Sequence, residues 1–149
     1  MAAVRCVESV DVEQVVTEVG TYLGIPGNLA DWMGMVVEPP VAASFRTGDR
    51  LDLSQSTSRG QIRYRAHVRE FVPTGRLRLE ATAADGKVVL QLRWWESSPG
   101  RTAIEYQTET ELQIGSVPQR LRARVTANLS VGLRASMLRQ LEQLKRRLE

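Results

Sequence analysis

Side chains that could shuttle protons, attack carbon or hold a metal are scarce in this chain. It carries a single histidine, His67, and a single cysteine, Cys6. His67 alternates with Arg63, Arg65 and Arg69 along a strand-like stretch, which places it on a polar surface rather than in the role of a general base. A Ser-His-Asp arrangement would require it to turn inward. Cys6 stands among Val4, Val7 and Val10, surroundings that suit a small buried hydrophobe better than a nucleophile. One imidazole and one thiol cannot complete a usual transition-metal set, so neither a metal nor a cofactor is expected. No disulfide can form within the chain. No residue is assigned a catalytic role.

What remains is hydroxyl chemistry. Tyr64, Tyr106, Thr108 and Thr110 share the parity of their strands' apolar residues. Buried hydroxyls there either satisfy one another and the backbone, or anchor a carbonyl or hydroxyl of a bound molecule. Trp94 follows Leu90 and Leu92 inward, which sends Trp95 outward. Trp32 either lines the mouth of an interior site or pins a short helix to the body.

Charge narrows the partners. The 20 basic and 17 acidic residues leave a formal +3, and all the bases except Lys87 and Lys145 are arginine. Acids and bases are interleaved, which fits a solvated, salt-bridged surface and argues against nucleic acid as a partner. The run from Arg139 to Arg147 suits a helix C-terminus, whose dipole favours cations. A macromolecular contact through the arginine-rich strands or this basic end is a further alternative.

These residues need a scaffold. With 149 residues, 42% of them apolar and 25% charged, the chain is long enough for one domain, residues 1–149, with a real core. No apolar run approaches the roughly 20 residues of a membrane span. The N-terminal residues lack the apolar stretch of a secretory signal, so a soluble cytoplasmic protein is expected. A strand is predicted over 3–10. Asp11 then reads as the N-cap, with Gln14 as capping-box partner, of a helix carrying Val12, Val15, Val16, Val19 and Leu23. Asn28 reads as the cap of a second, short helix ending at Met33 and Gly34.

From Val41 to Ile114 the period becomes two. Leu51 and Leu53 precede a turn at Ser54–Gly60. Ile62, Tyr64, Ala66 and Val68 alternate with polar residues up to the turn Pro73-Thr74-Gly75. Leu77, Leu79, Ala81 and Ala83 lead to the hairpin signal Asp85-Gly86. Val88, Leu90, Leu92 and Trp94 lead to the turn at Ser97–Gly100, and Ile104 to Leu112 form the last strand. Short connections make this an antiparallel meander with one apolar face. A long helix closes the chain, starting at Pro118 and keeping Leu121, Val125, Leu129, Leu133, Met137, Leu141, Leu144 and Leu148 on one stripe.

One long helix must cover the apolar face of six or seven strands, so the sheet is expected to curl round it. Eight aromatic residues (three Trp, three Tyr and two Phe) cannot fill such a space, and Ala66, Ala81, Ala83, Thr108 and Thr110 are small or hydroxylated. A hollow between helix and sheet follows, mostly apolar with a few polar points. Its expected lining is Trp32, Leu53, Tyr64, Ala66, Leu79, Trp94, Tyr106, Thr108, Val125 and Leu129.

The order of elements resembles the START-like, or SRPBCC, superfamily, with its β-α-α-β-meander-α helix-grip fold. The likeness rests on the entry Val10-Asp11-Val12 and on Asn28-Leu29-Ala30-Asp31-Trp32-Met33. It rests also on Gly48-Asp49-Arg50-Leu51, on Arg69-Glu70-Phe71-Val72-Pro73 with Arg76-Leu77, and on the final strand from Gly100 to Tyr106. Small bacterial members described as polyketide cyclase/dehydrase-like are the most similar in pattern. The resemblance implies an α+β fold and an apolar cavity that binds a small hydrophobic molecule such as a lipid or polyketide-like metabolite. It brings no catalytic set with it. Binding, and with it transport, is therefore the first reading and a metal-free cyclase or dehydratase the second. Self-association as a homodimer is left open.

Overall fold

The computed structural model describes residues 2–38, 43–58, 60–84, 86–112 and 118–149. Among these, seven strands form one antiparallel sheet: β1 (Ala2–Val12), β2 (Met35–Glu38), β3 (Arg50–Thr57), β4 (Gly60–Val72), β5 (Arg76–Ala83), β6 (Gly86–Ser98) and β7 (Arg101–Leu112). Their order across the sheet is β1-β7-β6-β5-β4-β3-β2. Two short helices, α1 (Val16–Leu23) and α2 (Leu29–Trp32), follow β1, and the 30-residue α3 (Gln119–Leu148) closes the chain. This is the α+β helix-grip arrangement read from the sequence. No helix among the described residues is long and apolar enough to cross a membrane.

The meander forms because polar and apolar residues alternate on β4 to β7 and short turns lock their register. Pro73-Thr74-Gly75 joins β4 to β5, and Pro99-Gly100 joins β6 to β7, with Gly100 at φ +77°. Irregularities in pairing at Val68/Glu70 on β4 and Glu96/Ser98 on β6 bend those strands, as a bulge does. The hairpin signal at Asp85 lies outside the described residues, but Ala83 and Gly86 face each other across it. The turn expected at Ser54–Gly60 is shorter than the sequence indicated. β3 continues in register with β4 to Thr57, so Ser54 is a buried strand residue. β2 has no counterpart in the sequence reading.

The first helix also differs. Val12 stays in β1 opposite Thr102, and α1 begins only at Val16. A β-branched residue with a partner strand available remains in the ladder. Asp11 therefore caps nothing. Its carboxylate accepts Ser97 Oγ at 2.6 Å and Arg101 Nε at 2.7 Å, which holds its pKa below the usual value, the Ser97 bond contributing most. Asn28 is likewise not a side-chain cap, since its Nδ2 donates to Tyr22 O at 2.8 Å. The junction between β1 and α1 is tied to the far end of the chain. Gln14 Nε2 donates to Leu148 O, and the Glu13 N–H donates to Glu149 Oε2.

α3 lies along β1. Arg134 Nε meets Glu8 Oε1 at 3.2 Å, and Lys145 Nζ donates to Asp11 O at 3.2 Å. Its apolar residues do not keep a single line. A step of four residues overshoots a turn of 3.6 by about 40°. Met137, Leu141, Leu144 and Leu148 include a step of three, fall within roughly 60° of one another, and are buried. Going back through Leu133, Leu129, Val125 and Leu121, every step is four, so Leu121 is turned roughly 160° from Met137. Exposure follows that rotation: Leu133 and Leu129 are half-buried, while Val125 and Leu121 are 36% and 40% exposed. In their place Thr126 and Ser130 continue the line of Met137, and Ser130 O lies 3.9 Å from Cys6 Sγ.

Two outcomes test this packing. Leu144→Ala should lose about 3 kcal/mol of unfolding free energy in urea titration, whereas Leu121→Ala should change it by less than about 0.5 kcal/mol. Gly20→Ala should cost roughly 2–3 kcal/mol, because the added Cβ would fall on the Pro73 carbonyl oxygen, which belongs to backbone and cannot swing away.

Candidate functional site

The sheet's inner face is deep in one place because its side chains there are short. Ala66 on β4 faces Ala81 on β5, Ala81 faces Val88 on β6, and Val88 faces Thr110 on β7. The next row, Val68, Leu79, Leu90 and Thr108, is bulkier and floors the interior toward the core. Over the short row stand Leu133, Ser136, Met137 and Gln140 of α3, with Leu29 on α2, Met33 just after it and Met35 on β2 closing one side. A cavity of about 320 Å³ is left between helix and sheet. It lies in the size range of small-molecule sites. No Asp, Glu, Lys, Arg or His lines it among the described residues.

Polar atoms enter at defined points. The Tyr106 hydroxyl donates to Gln140 Oε1 at 2.9 Å, and Gln140 Nε2 donates to Met33 O at 3.4 Å. This chain of bonds links β7 to α3 and to the end of α2. Burial alone pushes the Tyr106 phenol well above its usual pKa, so it stays a neutral donor. Trp32 packs edge-on against that ring, with centroids 5.6 Å apart and planes at 77°. Thr108 Oγ1 lies 3.3 Å from Met137 Sδ, a weak acceptor.

Of the ten residues expected at the site, five meet there: Leu53, Tyr64, Leu79, Tyr106 and Thr108. The other five stand elsewhere. Trp32 is buried behind Tyr106. Ala66 is covered in the floor beyond Ala81, and Trp94 sits under α1, near Gly20. Val125 is solvent-exposed and Leu129 half-buried, both rotated away from the cavity by the four-residue steps of α3. The residues missed are mainly on helices. Ser136 and Gln140 carry no apolar signal, and only the angular position relative to Met137 would have found them. Met33 and Met35 flank Gly34, where no periodicity is long enough to read.

The outer face of the sheet is the rival location. Two grooves of about 460 and 490 Å³ cross it, floored by Asp52, Arg63, Arg65, His67 and Glu80 among others. They are open and charged, and much of that charge is already paired. Glu80 holds Lys87 at 2.7 Å and Arg69 at 2.9 Å, Glu70 holds Arg76, and Glu105 holds Arg93. His67 lies between Arg50 and Glu80 in register, on this outer face. Exposed pairs of this kind order a surface and contribute little to stability. Among the described residues, no group of three or more His, Cys, Asp or Glu is placed to hold a metal ion. The uncharged, mainly apolar cavity between helix and sheet is the better small-molecule site.

No family model matches this sequence, and no curated protein matches it. Solved structures do. One is a START superfamily protein from Mycobacterium smegmatis, matched with a TM-score of 0.71 over 97% of this chain and 96% of that one at 10% identity. The fold is START-like. A protein from Chromobacterium violaceum matches with a TM-score of 0.72 at 16% identity, over 97% and 96% of the two chains. A protein from the dynemicin biosynthetic locus matches with a TM-score of 0.58 at 16% identity, where 97% of this chain aligns to 46% of the longer one. At these identities the START-like fold is what is shared.

The outer-face pairs carry their own pH signature. Hydrogen bonds from Lys87 and then Arg69 lower the Glu80 pKa from 4.5 to about 2. A depressed carboxylate contributes stability that is full above its unfolded pKa and disappears as pH falls through the folded one. Glu80→Gln should therefore melt about 1–3 °C below the parent at pH 7. The two melting curves should converge as pH falls from about 5 to 2.

Proposed function

We propose that this START-like chain, acting as one domain, binds a small hydrophobic molecule between its sheet and α3, and so serves as a carrier. The observation that supports this most strongly is the cavity itself: about 320 Å³, roofed by Leu29, Leu133 and Met137, floored by Ala81, and free of charged side chains among the described residues. Binding there is driven by desolvation, worth roughly 25 cal/mol per Å² of apolar surface removed from water. The hydroxyls of β7 add orientation. The buried free thiol of Cys6 fits a reducing, cytoplasmic setting.

An enzyme of cyclase or dehydratase type is the second reading, and one solved structure of the same fold comes from a biosynthetic locus. Such chemistry calls for an acid or base that titrates near the working pH. The Tyr106 phenol, raised by burial and with its one proton given to Gln140, is a fixed structural group rather than a proton shuttle. Carrier function accounts for the lining without asking more of it.

Extraction and mass spectrometry of freshly purified protein should reveal a stoichiometric apolar compound. Ala81→Leu, which extends a side chain into open space rather than into packed core, should remove that adduct and leave the melting temperature within a few °C. An unchanged adduct in a folded Ala81→Leu protein would place the ligand elsewhere.

A further inference from the structure

The apolar cavity gives way to a polar mouth. It adjoins an open recess of about 340 Å³, lined by Asp31, Arg139 and Gln143 among others. Met33, Gln55, Ser136 and Gln140 line both spaces, so they form the threshold between the cavity and the recess. Gln55 shares the inward parity of Leu51 and Leu53 on β3, where a third leucine would cover the apolar face. Instead it is half-buried, and its side-chain amide has no hydrogen-bond partner among the described residues yet stays open to water. Thr110 Oγ1, Tyr22 OH and Trp94 Nε1 also lack partners, but they are sealed and out of a ligand's reach. Arg139 completes the threshold from α3. Its Nη2 donates to Ser136 Oγ at 3.2 Å, which brings the guanidinium to a hydroxyl shared by both spaces. It forms no ion pair among the described residues, in contrast to Arg69, Arg76, Arg93 and Arg101. Asp31 lines the recess and not the cavity.

We infer that the ligand is an amphiphile whose apolar body fills the cavity and whose terminal carboxylate sits in the mouth, paired with Arg139 and hydrogen-bonded by Gln55. The inference rests on the binding reading above and deepens it. Solvation sorts the two ends. Within the cavity a carboxylate would lose hydration and meet no cation among the described residues. At the mouth it keeps water on one side and gains a guanidinium, whose planar fork matches a carboxylate. The Gln55 amide supplies further N–H donors. Ser136 holds the guanidinium at the threshold, whereas Asp31 reaches only the recess, so a cation and not an anion meets the ligand as it leaves the cavity. Size limits the other end. The cavity's 320 Å³ equals the liquid volume of roughly ten waters, room for one or two fused rings or a short chain and not for a two-chain lipid.

Four probes with one ring system separate the possibilities: naphthalene, 2-naphthamide, 2-naphthoate and 2-naphthylmethylammonium, titrated by fluorescence at pH 7 and low salt into the delipidated full chain. The amide should bind about 3-fold more tightly than naphthalene. The naphthoate should gain about another 3- to 5-fold over the amide, and the ammonium should bind more weakly than either. That gain should shrink below about twofold at about 1 M salt. Arg139→Gln should erase it and leave naphthalene and the amide within about twofold, while Arg146→Gln, on the same helix but paired with Glu142, should keep it. Gln55→Leu should erase the advantage of the amide over naphthalene. Arg139 is exposed and Gln55 half-buried, so both variants should melt within a few °C of the parent. If none of the four probes binds, the carrier reading itself falls and this inference with it. If naphthalene binds but the naphthoate gains nothing over the amide, or the ammonium binds more tightly than the naphthoate, or Arg139→Gln keeps the gain, or Gln55→Leu keeps the advantage of the amide, the cavity is a binding site and the assignment of the mouth is wrong.

Discussion

A helix that turns every 3.6 residues cannot hold leucines spaced by four on one side, and the interior of this protein is organised by that mismatch. The C-terminal half of α3 breaks the spacing once, with a step of three between Leu141 and Leu144, and there its leucines lock into the core. The N-terminal half never corrects, so its apolar residues turn away from the sheet and Thr126 and Ser130 take their line. One half of the helix therefore grips and the other half spans. Opposite the middle of the helix, the sheet presents Ala66, Ala81 and Val88 in one row. These short side chains leave volume beneath Leu133 and Met137, and the cavity occupies that gap.

The same geometry determines what the cavity can do. Its polar points are Tyr106, Thr108 and Thr110, which alternate inward on β7, Ser136 and Gln140 on α3, and Gln55 and Tyr64 on β3 and β4. Tyr106 donates to Gln140 and Gln140 to the Met33 carbonyl, which ties β7 to α3 and α2 beside this space. Charge is kept on the other side of the sheet, where Glu80, Glu70 and Glu105 pair with cations across strands. The sheet thus separates an apolar, neutral interior from a salt-bridged exterior among the described residues.

Much of this was readable in the chain. The alternation from Ile62 to Leu112, punctuated by Pro73-Thr74-Gly75 and Pro99-Gly100, set both the strands and the face each residue takes, because a period of two leaves only two choices. Leu53, Tyr64, Leu79, Tyr106 and Thr108 were placed inward on that basis, and they meet at the cavity. Helical positions were less legible. Val125 and Leu129 looked equivalent to Met137 when spacing alone was counted, and the accumulated rotation separates them. The start of α1 was misread at Asp11 because a side chain that suits an N-cap suits a salt bridge to Arg101 equally well, and only the presence of β7 alongside decides between the two. β2 was invisible, being four residues between Gly34 and the prolines at 39 and 40.

By itself, then, the sequence determined the order of elements, the polarity of each strand face and the shortage of residues able to do acid-base or metal chemistry. Those are local properties, written in residue type and in spacing over a few positions. Tertiary structure decided which inward residues share a space, which side of α3 meets the sheet at each turn, and which buried hydroxyls, Tyr22 and Thr110 among the described residues, are left without a partner. Each of these depends on atoms far apart in the chain, such as Tyr106 and Gln140 or Thr108 and Met137, and their distances are set by sheet register and helix rotation together.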